Sequence, residues 1–240
     1  MHRWRWVGVV TGLVAGIMLA EAGGGLGRGV LFAAPAFSVC VLAAVLTGEL
    51  SVRPAGGPVR TAAVEVRRVR DYLPRGLTRA VATAGVTLAV LLVGTTAAGG
   101  ADDMGRSGRM LWVTCGPGAT EGNGPWPGAY YSFPLALIVL AGLVAAAAVL
   151  RRIAVRPRVG DDDVMRRRSA HAVVAAVGVM VALPAAGVSA VAGGTIISSC
   201  LPDAGGWALL ALASAQTLVL AWCAAALLIP APVGTGSRAA

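Results

Sequence analysis

YSFPLALIVLAGLVAAAAVL, residues 131–150, runs for twenty positions without one charged side chain. A helix of that length is about 30 Å long, the thickness of the hydrocarbon core of a bilayer. Working outward, five more stretches share the property: residues 6–22, 29–48, 80–99, 171–193 and 206–229. Glu21, near the end of the first, is the one acidic or basic residue among the six, His171 aside. A charge at the centre of a span costs about 2.5–3.5 kcal/mol on insertion scales, so such long uncharged runs mark membrane spans. Peptide groups in lipid must bond within their own segment, which makes the spans helices. The Ala/Val/Leu mixture lacks the alternation of a barrel strand. The expected fold class is therefore all-α, a polytopic transmembrane bundle of six spans and one membrane domain. Pro35, Pro134 and Pro184 fall in or near spans and predict kinks, which membrane helices tolerate.

Composition agrees. Of 240 residues, 57% are apolar and 13% charged, where a soluble domain is about a quarter charged. All 20 basic residues are arginine, a usage that with the abundant Ala and Gly suggests a high-GC genome. A net charge of +9 would point to nucleic acid in a soluble protein. Here the arginines flank apolar runs, so anionic lipid headgroups are the expected partner and nucleic acid is not.

The arginines alternate between sides. Arg3 and Arg5 precede the first span. The link 51–79 carries Arg53, Arg60, Arg67, Arg68, Arg70, Arg75 and Arg79, and the link 151–170 carries Arg151, Arg152, Arg156, Arg158, Arg166, Arg167 and Arg168. With Arg238 these put 17 of 20 on one side, leaving Arg28, Arg106 and Arg109 on the other. The positive-inside rule makes the rich side cytoplasmic, with both termini inside and loops 100–130 and 194–205 outside, in a cell membrane. Trp4 and Trp6 fit an inner interfacial belt, and Trp112, Trp126 and Trp207 an outer one. The first span has a second reading: basic residues, an apolar run and Ala20-Glu21-Ala22 form signal-peptide grammar, and cleavage there would leave the rest of the topology unchanged.

Ala62, Val66, Val69 and Leu73 share a helical face, which fits a short amphipathic helix on the inner surface; a solvated basic loop is the alternative. The third and fifth spans start alike, Arg79-Ala80-Val81 and His171-Ala172-Val173, and each leads to an outer cysteine. This admits a duplicated hairpin of the kind transporters use, or mere compositional likeness.

Chemistry is sparse. Gly23-Gly24-Gly25-Leu26-Gly27-Arg28-Gly29 does not match the dinucleotide fingerprint and reads as a tight turn. Asp161, Asp162 and Asp163 read as a solvated acidic run, with Asp163 a helix cap, ahead of a divalent-cation site. His2 and His171 have no metal-ligand companion, no lysine is present for a Ser–Lys dyad or Schiff base, and no carboxylate sits mid-span for a proton relay. Ser214, Gln216 and Thr217 are the most polar group within a span; helix-to-helix bonding is the default reading, a substrate path the other. No catalytic residue, cofactor or metal site is expected.

Gly8, Gly12, Gly16, Ala20 and Gly24 recur every four residues, a groove where another helix comes close, within the bundle or at a homodimer seam. Gly178, Ala182, Ala186, Ala190 and Gly194 repeat the spacing in the fifth span. Of four cysteines, Cys40 and Cys223 lie in spans and read as small apolar residues. Cys115 and Cys200 fall one in each of two outer loops, where an oxidising exterior lets a disulfide persist. Unpaired thiols or a bridge between chains are the rivals; zinc lacks a nearby histidine.

Arg70-Asp71-Tyr72-Leu73-Pro74-Arg75, Gly124-Pro125-Trp126-Pro127-Gly128-Ala129-Tyr130-Tyr131 and Arg166-Arg167-Arg168-Ser169-Ala170 resemble a group of multi-pass membrane proteins of high-GC Gram-positive bacteria, over about residues 70–194. The resemblance implies a location and carries no activity or site. The function to expect is that of a non-enzymatic membrane protein engaging a membrane-protein partner, or a second copy, through its outer loops or inner arginine links. The alternative is a small transporter or transporter subunit, which would show a polar cavity near Ser214, Gln216 and Thr217.

Reporter fusions test the orientation. A reporter after Ala240 should be active only as a cytoplasmic fusion, and one inserted within 100–130 only as an exported fusion. Export of the C-terminal fusion would overturn the six-span arrangement.

Overall fold

The computed structural model describes residues 2–22, 28–51, 72–155 and 162–229. Among them are six long helices: α1 (His2–Ala22), α2 (Arg28–Leu50), α3 (Arg75–Ala98), α4 (Ala129–Val155), α5 (Asp162–Ile197) and α6 (Asp203–Leu228). Each contains a stretch long and apolar enough to cross a membrane. Most of the glycine cluster after α1, the amphipathic pattern from Ala62 to Val69 and Asp161 lie outside the described residues.

The helices outrun the apolar spans. α3 begins at Arg75, α4 continues to Val155, and α5 extends back to Asp162. Its 36 residues give a rod of about 54 Å, well beyond a core of about 30 Å. Backbone bonding does not stop where hydrocarbon stops, so arginines expected in links stand on helix ends. Pro35, Pro134 and Pro184 sit inside helices that continue through them.

The start of α1 and the end of α6 lie at one end of the bundle. Arg5 Nη1 donates to the Leu227 carbonyl at 2.8 Å, joining the start of α1 to the end of α6. Gly48 packs on Trp4 and Gly76 faces Trp222, which brings the end of α2 and the start of α3 to the same place. We call this the arginine end and its opposite the hairpin end.

α5 is the axis. Val173, Ala175, Ala176, Met180, Ala182 and Ala185 are all but inaccessible, and α2, α3, α4 and α6 pack around them. Small side chains make this approach feasible. A Cβ on Gly178 would collide with Cys223 and Val81, and one on Gly142 with Met180. Cys223 is a free, fully buried thiol that fills space as an apolar residue does; Cys40 is free and half-buried. α1 is peripheral, packed on α2 with a minor contact to α6, and Val10, Leu13, Ile17 and Met18 face outward. An apolar surface of that extent suits lipid and not water.

The α1 stripe seats α2. A Cβ on Gly8 would lie 2.8 Å from Ala44 Cβ, and one on Gly12 2.9 Å from both the Phe37 ring and its carbonyl oxygen. Gly16 faces Ala33, and Gly29 presses on the backbone of Ala20. α2 therefore fills this groove, leaving no room in it for a second copy. The α5 stripe behaves differently. Gly178 and Ala182 are buried, but Ala190 and Gly194 are exposed. Four-residue steps drift about 40° each around a helix, so the far end of the row turns away. Gly193 takes over there, a Cβ on it falling 2.9 Å from the Gly206 carbonyl oxygen of α6.

The connection between α3 and α4 departs from the all-helical expectation. It holds an antiparallel ribbon, β1 (Leu111–Gly116) and β2 (Ala119–Asn123), extended by a bridge between Gly100 and Met110. Leu111 and Val113 are buried while Trp112 and Thr114 are exposed, the two-residue period of a half-buried strand. Gly118, at φ +82°, supplies a left-handed turn residue. The short turn 198–202 between α5 and α6 has no such ribbon, so the two hairpins expected to be alike differ at their tips.

Gly12→Leu should destabilise the bundle by about 1–3 kcal/mol, as overpacking does. Leu13→Ile, on the outward face, should cost less than about 0.5 kcal/mol. Thermal unfolding in detergent checks this, and equal midpoints for the two variants would refute the seam.

Candidate functional site

The ribbon is the visible part of a cap over the hairpin end, and its anchor is a salt bridge between short-range neighbours. Asp102 accepts the backbone N–H groups of Met104 (3.0 Å) and Arg106 (2.9 Å), and Arg106 Nε donates to its second oxygen at 2.8 Å. An aspartate closing its own turn in this way fixes the loop without regular secondary structure. Arg109 Nη1 stands 3.3 Å from the same oxygen. Burial works against the Asp102 charge, but the Arg106 N–H, the Arg106 guanidinium and the Met104 N–H outweigh it, and its carboxyl titrates below the usual range. Because the folded value is the lower one, this support is complete above the ordinary carboxylate pKa of about 3.9 and is lost as the pH falls through the depressed value.

Arg109 carries the loop onto α4. Its guanidinium is almost wholly buried, 4.9 Å from the Tyr130 ring centroid and 6.0 Å from that of Tyr131, and Nη2 donates to the Tyr131 hydroxyl at 3.4 Å. A planar cation on aromatic faces keeps its charge paired while leaving water. Gly108, at φ +74°, lets the loop backbone meet Gly128 and Ala129, where a side chain would clash.

Three further ties reach the other helices. Trp126 is buried and its Nε1 donates to the Thr95 carbonyl at 2.7 Å, in the last turn of α3. This corrects its expected place in an interfacial belt; Trp112 and Trp207 are the exposed tryptophans of this end. The Thr195 hydroxyl of α5 donates to the Pro125 carbonyl at 3.1 Å. Cys115 on β1 and Cys200 after α5 stand at disulfide distance, with Cα atoms 5.7 Å apart. Glu121 of β2 lies within 4.8 Å of both sulfurs. Beside the Glu121 carboxylate the two sulfurs could hold a metal only as thiolates, and a joined pair has none to give.

Behind the cap is a cavity of about 490 Å³ lined by Asp102, Arg106, Arg109, Met110, Gly122 and Tyr131 among others. Beneath it, an apolar cavity of about 320 Å³ lies among Phe32, Pro35, Leu92, Leu135 and Pro184, with Tyr131 and Pro125 in the walls of both. In the upper cavity Arg106 and Arg109 both pair with Asp102, and His171 stands near the start of α5, far along the chain from it. The arrangement holds a shape and offers no poised nucleophile.

The stripe Gly8, Gly12, Gly16 and Ala20 belongs to the α1–α2 seam and has no part in the cap. The Ser214 and Thr217 hydroxyls donate to the carbonyls of Leu210 (3.0 Å) and Ala213 (2.9 Å) on their own helix, Gln216 is buried, and none of the three lines the cavities described here. At the arginine end, Glu49 and Arg166 are almost completely buried, Arg166 Nη1 lying 3.4 Å from the Ala154 carbonyl oxygen. From the sequence, Arg166 counts among the arginines of the link 151–170 and Arg109 among the three of the other side, with no site role for either, and Glu49 and Asp102 are not singled out. The spacing Asp-x-x-x-Arg-x-x-Arg was the available signal for Asp102 and Arg109, and a weak one.

Thiol labelling tests the cap. Cys115 and Cys200 should resist an impermeant alkylating reagent applied from outside and label after mild reduction. Full labelling without reductant would mean that no bridge exists. Comparison with protein families, with characterised proteins and with solved structures finds no match to this chain, so its function is read from its own residues.

Proposed function

We propose that this chain is a non-enzymatic integral membrane protein of the cell membrane, with its arginine end in the cytoplasm and its cap outside, and that the cap is a docking platform for a membrane-protein partner. One observation carries the reading. The segment between α3 and α4 is tied at four places, by Arg109 to α4, Trp126 to α3, Thr195 to Pro125, and Cys115 beside Cys200. A merely connecting loop has no need of such restraint, whereas a surface presented to a partner gains affinity from being preorganised. The tip it presents includes the half-exposed Trp112 and the exposed Met104, residue types that favour interfaces.

Transport finds less support. A substrate path would call for polar groups facing a cavity in mid-bundle, and the hydroxyls of Ser214 and Thr217 turn back on α6.

A photo-crosslinking residue placed at Thr120, exposed on β2, should trap one discrete adduct in intact cells. The same residue at the lipid-facing Leu137 of α4 should not trap that adduct. If neither position, or both alike, yields the adduct, the cap is not the docking surface.

A further inference from the structure

A different observation leads beyond the partner reading and does not depend on it. α3 and α4 part along their length and leave a groove of about 740 Å³ floored by Val174, Val177 and Val181 of α5. Its walls are Ala, Val, Leu and Gly with one hydroxyl, Thr78. On α3 the lining runs from Thr78 to Val93, about 22 Å of helix, more than one leaflet of a core of about 30 Å. A Cβ on Gly85 would meet nothing within 4 Å, so the space in front of it is open.

The mouth of the groove is charged on one side only. Neither α3 nor α4 contains an Asp or Glu, while α3 opens with Arg75 and Arg79 and α4 closes with Arg151 and Arg152, all four exposed. No described carboxylate pairs with any of them. At 100° per residue, Arg75 and Arg151 lie within about 80° of the groove midlines through Gly85 and Leu143, Arg79 at about 120°, and Arg152 on the opposite side. The first turn of α3 adds to the positive potential, because Pro74 at its N-cap makes no side-chain cap bond and the orphan N–H groups face outward from the helix end.

We propose that this groove binds one anionic phospholipid, an acyl chain lying along Gly85 and Ala89 and the phosphate held by Arg75 and Arg151 with Arg79 at the rim. Apolar walls call for a hydrocarbon chain, and arginines at one end that no described carboxylate pairs call for an anion. A phospholipid joins the two in one molecule. A partner helix would satisfy the walls but would leave the arginines without counter-charge.

The test is native mass spectrometry of the full chain in mild detergent, with phosphatidylglycerol and phosphatidylcholine of identical chains added separately. One phosphatidylglycerol per chain should survive dissociation conditions that strip phosphatidylcholine. Arg75→Gln combined with Arg151→Gln should lower its retention at least tenfold, while Arg152→Gln leaves it unchanged. Gly85→Leu should lower retention by blocking the chain, with circular dichroism and the thermal midpoint checking that the bundle still folds. Glycerophosphate alone should not compete; if it displaces the lipid fully, the site is a phosphate site and the groove is not part of it. Equal retention of the two lipids, an Arg152→Gln effect as large as the double variant, or a lipid-free dimer would each overturn the proposal.

Discussion

A peptide group inside hydrocarbon finds no water to bond, and leaving it unpaired costs several kcal/mol. Everything else in this molecule follows from where that constraint holds and where it stops. Along the six apolar stretches the backbone satisfies itself within each helix, and side chains are free to be small. Past the apolar boundary the constraint relaxes, and the chain between α3 and α4 forms a ribbon and a carboxylate-closed turn.

Satisfied backbones still have to be held together, and lipid gives helices no hydrophobic reason to associate. Close packing supplies it. Where Gly178 meets Cys223 and Val81, and where Gly12 meets Phe37, absent or small side chains let dispersion contacts form between backbones. This explains why α5, built mostly of Ala, Val and Gly, is the most buried helix, while α1 and α4 carry the bulkier Leu, Ile and Met outward. It also explains why the groove between α3 and α4 is bordered by Ala82, Gly85, Ala89 and Ala147, which cannot fill the gap.

The six helices were legible because twenty uncharged residues in a row have few other destinies. The α1 seam was legible because Gly-x-x-x-Gly-x-x-x-Gly leaves one face bare. The α5 row misled at its far end because sequence spacing records neither the drift around the helix nor where the neighbour crosses, so Gly193 and not Gly194 meets α6. The cap was scarcely legible. Leu111-Trp112-Val113-Thr114 alternates over too few residues to stand out beside the spans, and the meeting of Arg109 with Tyr130 and Tyr131 joins residues 21 and 22 positions apart. Buried charge was hidden for a further reason. Glu49 and Arg166 sit at helix ends where sequence reasoning assigns water, and only the packing of α1, α2, α4 and α5 decides otherwise.

The cap and the bundle differ in what confines them. A membrane restricts its helices before any contact forms, so a covalent link between two of them removes less disorder than the roughly 4–5 kcal/mol that chain-entropy models give for a closed loop of 85 residues. The aqueous segment has no such confinement. Its ties are accordingly of the kinds that work in water: a tryptophan N–H on a helix-end carbonyl, an arginine shared between a carboxylate and two rings, and a cysteine pair at the rim. The first reaches α3, the second α4 and the third the turn after α5. Loss of any one should free one corner of the cap and leave the helix packing in place, so the shape of the cap can change while the fold of the bundle does not.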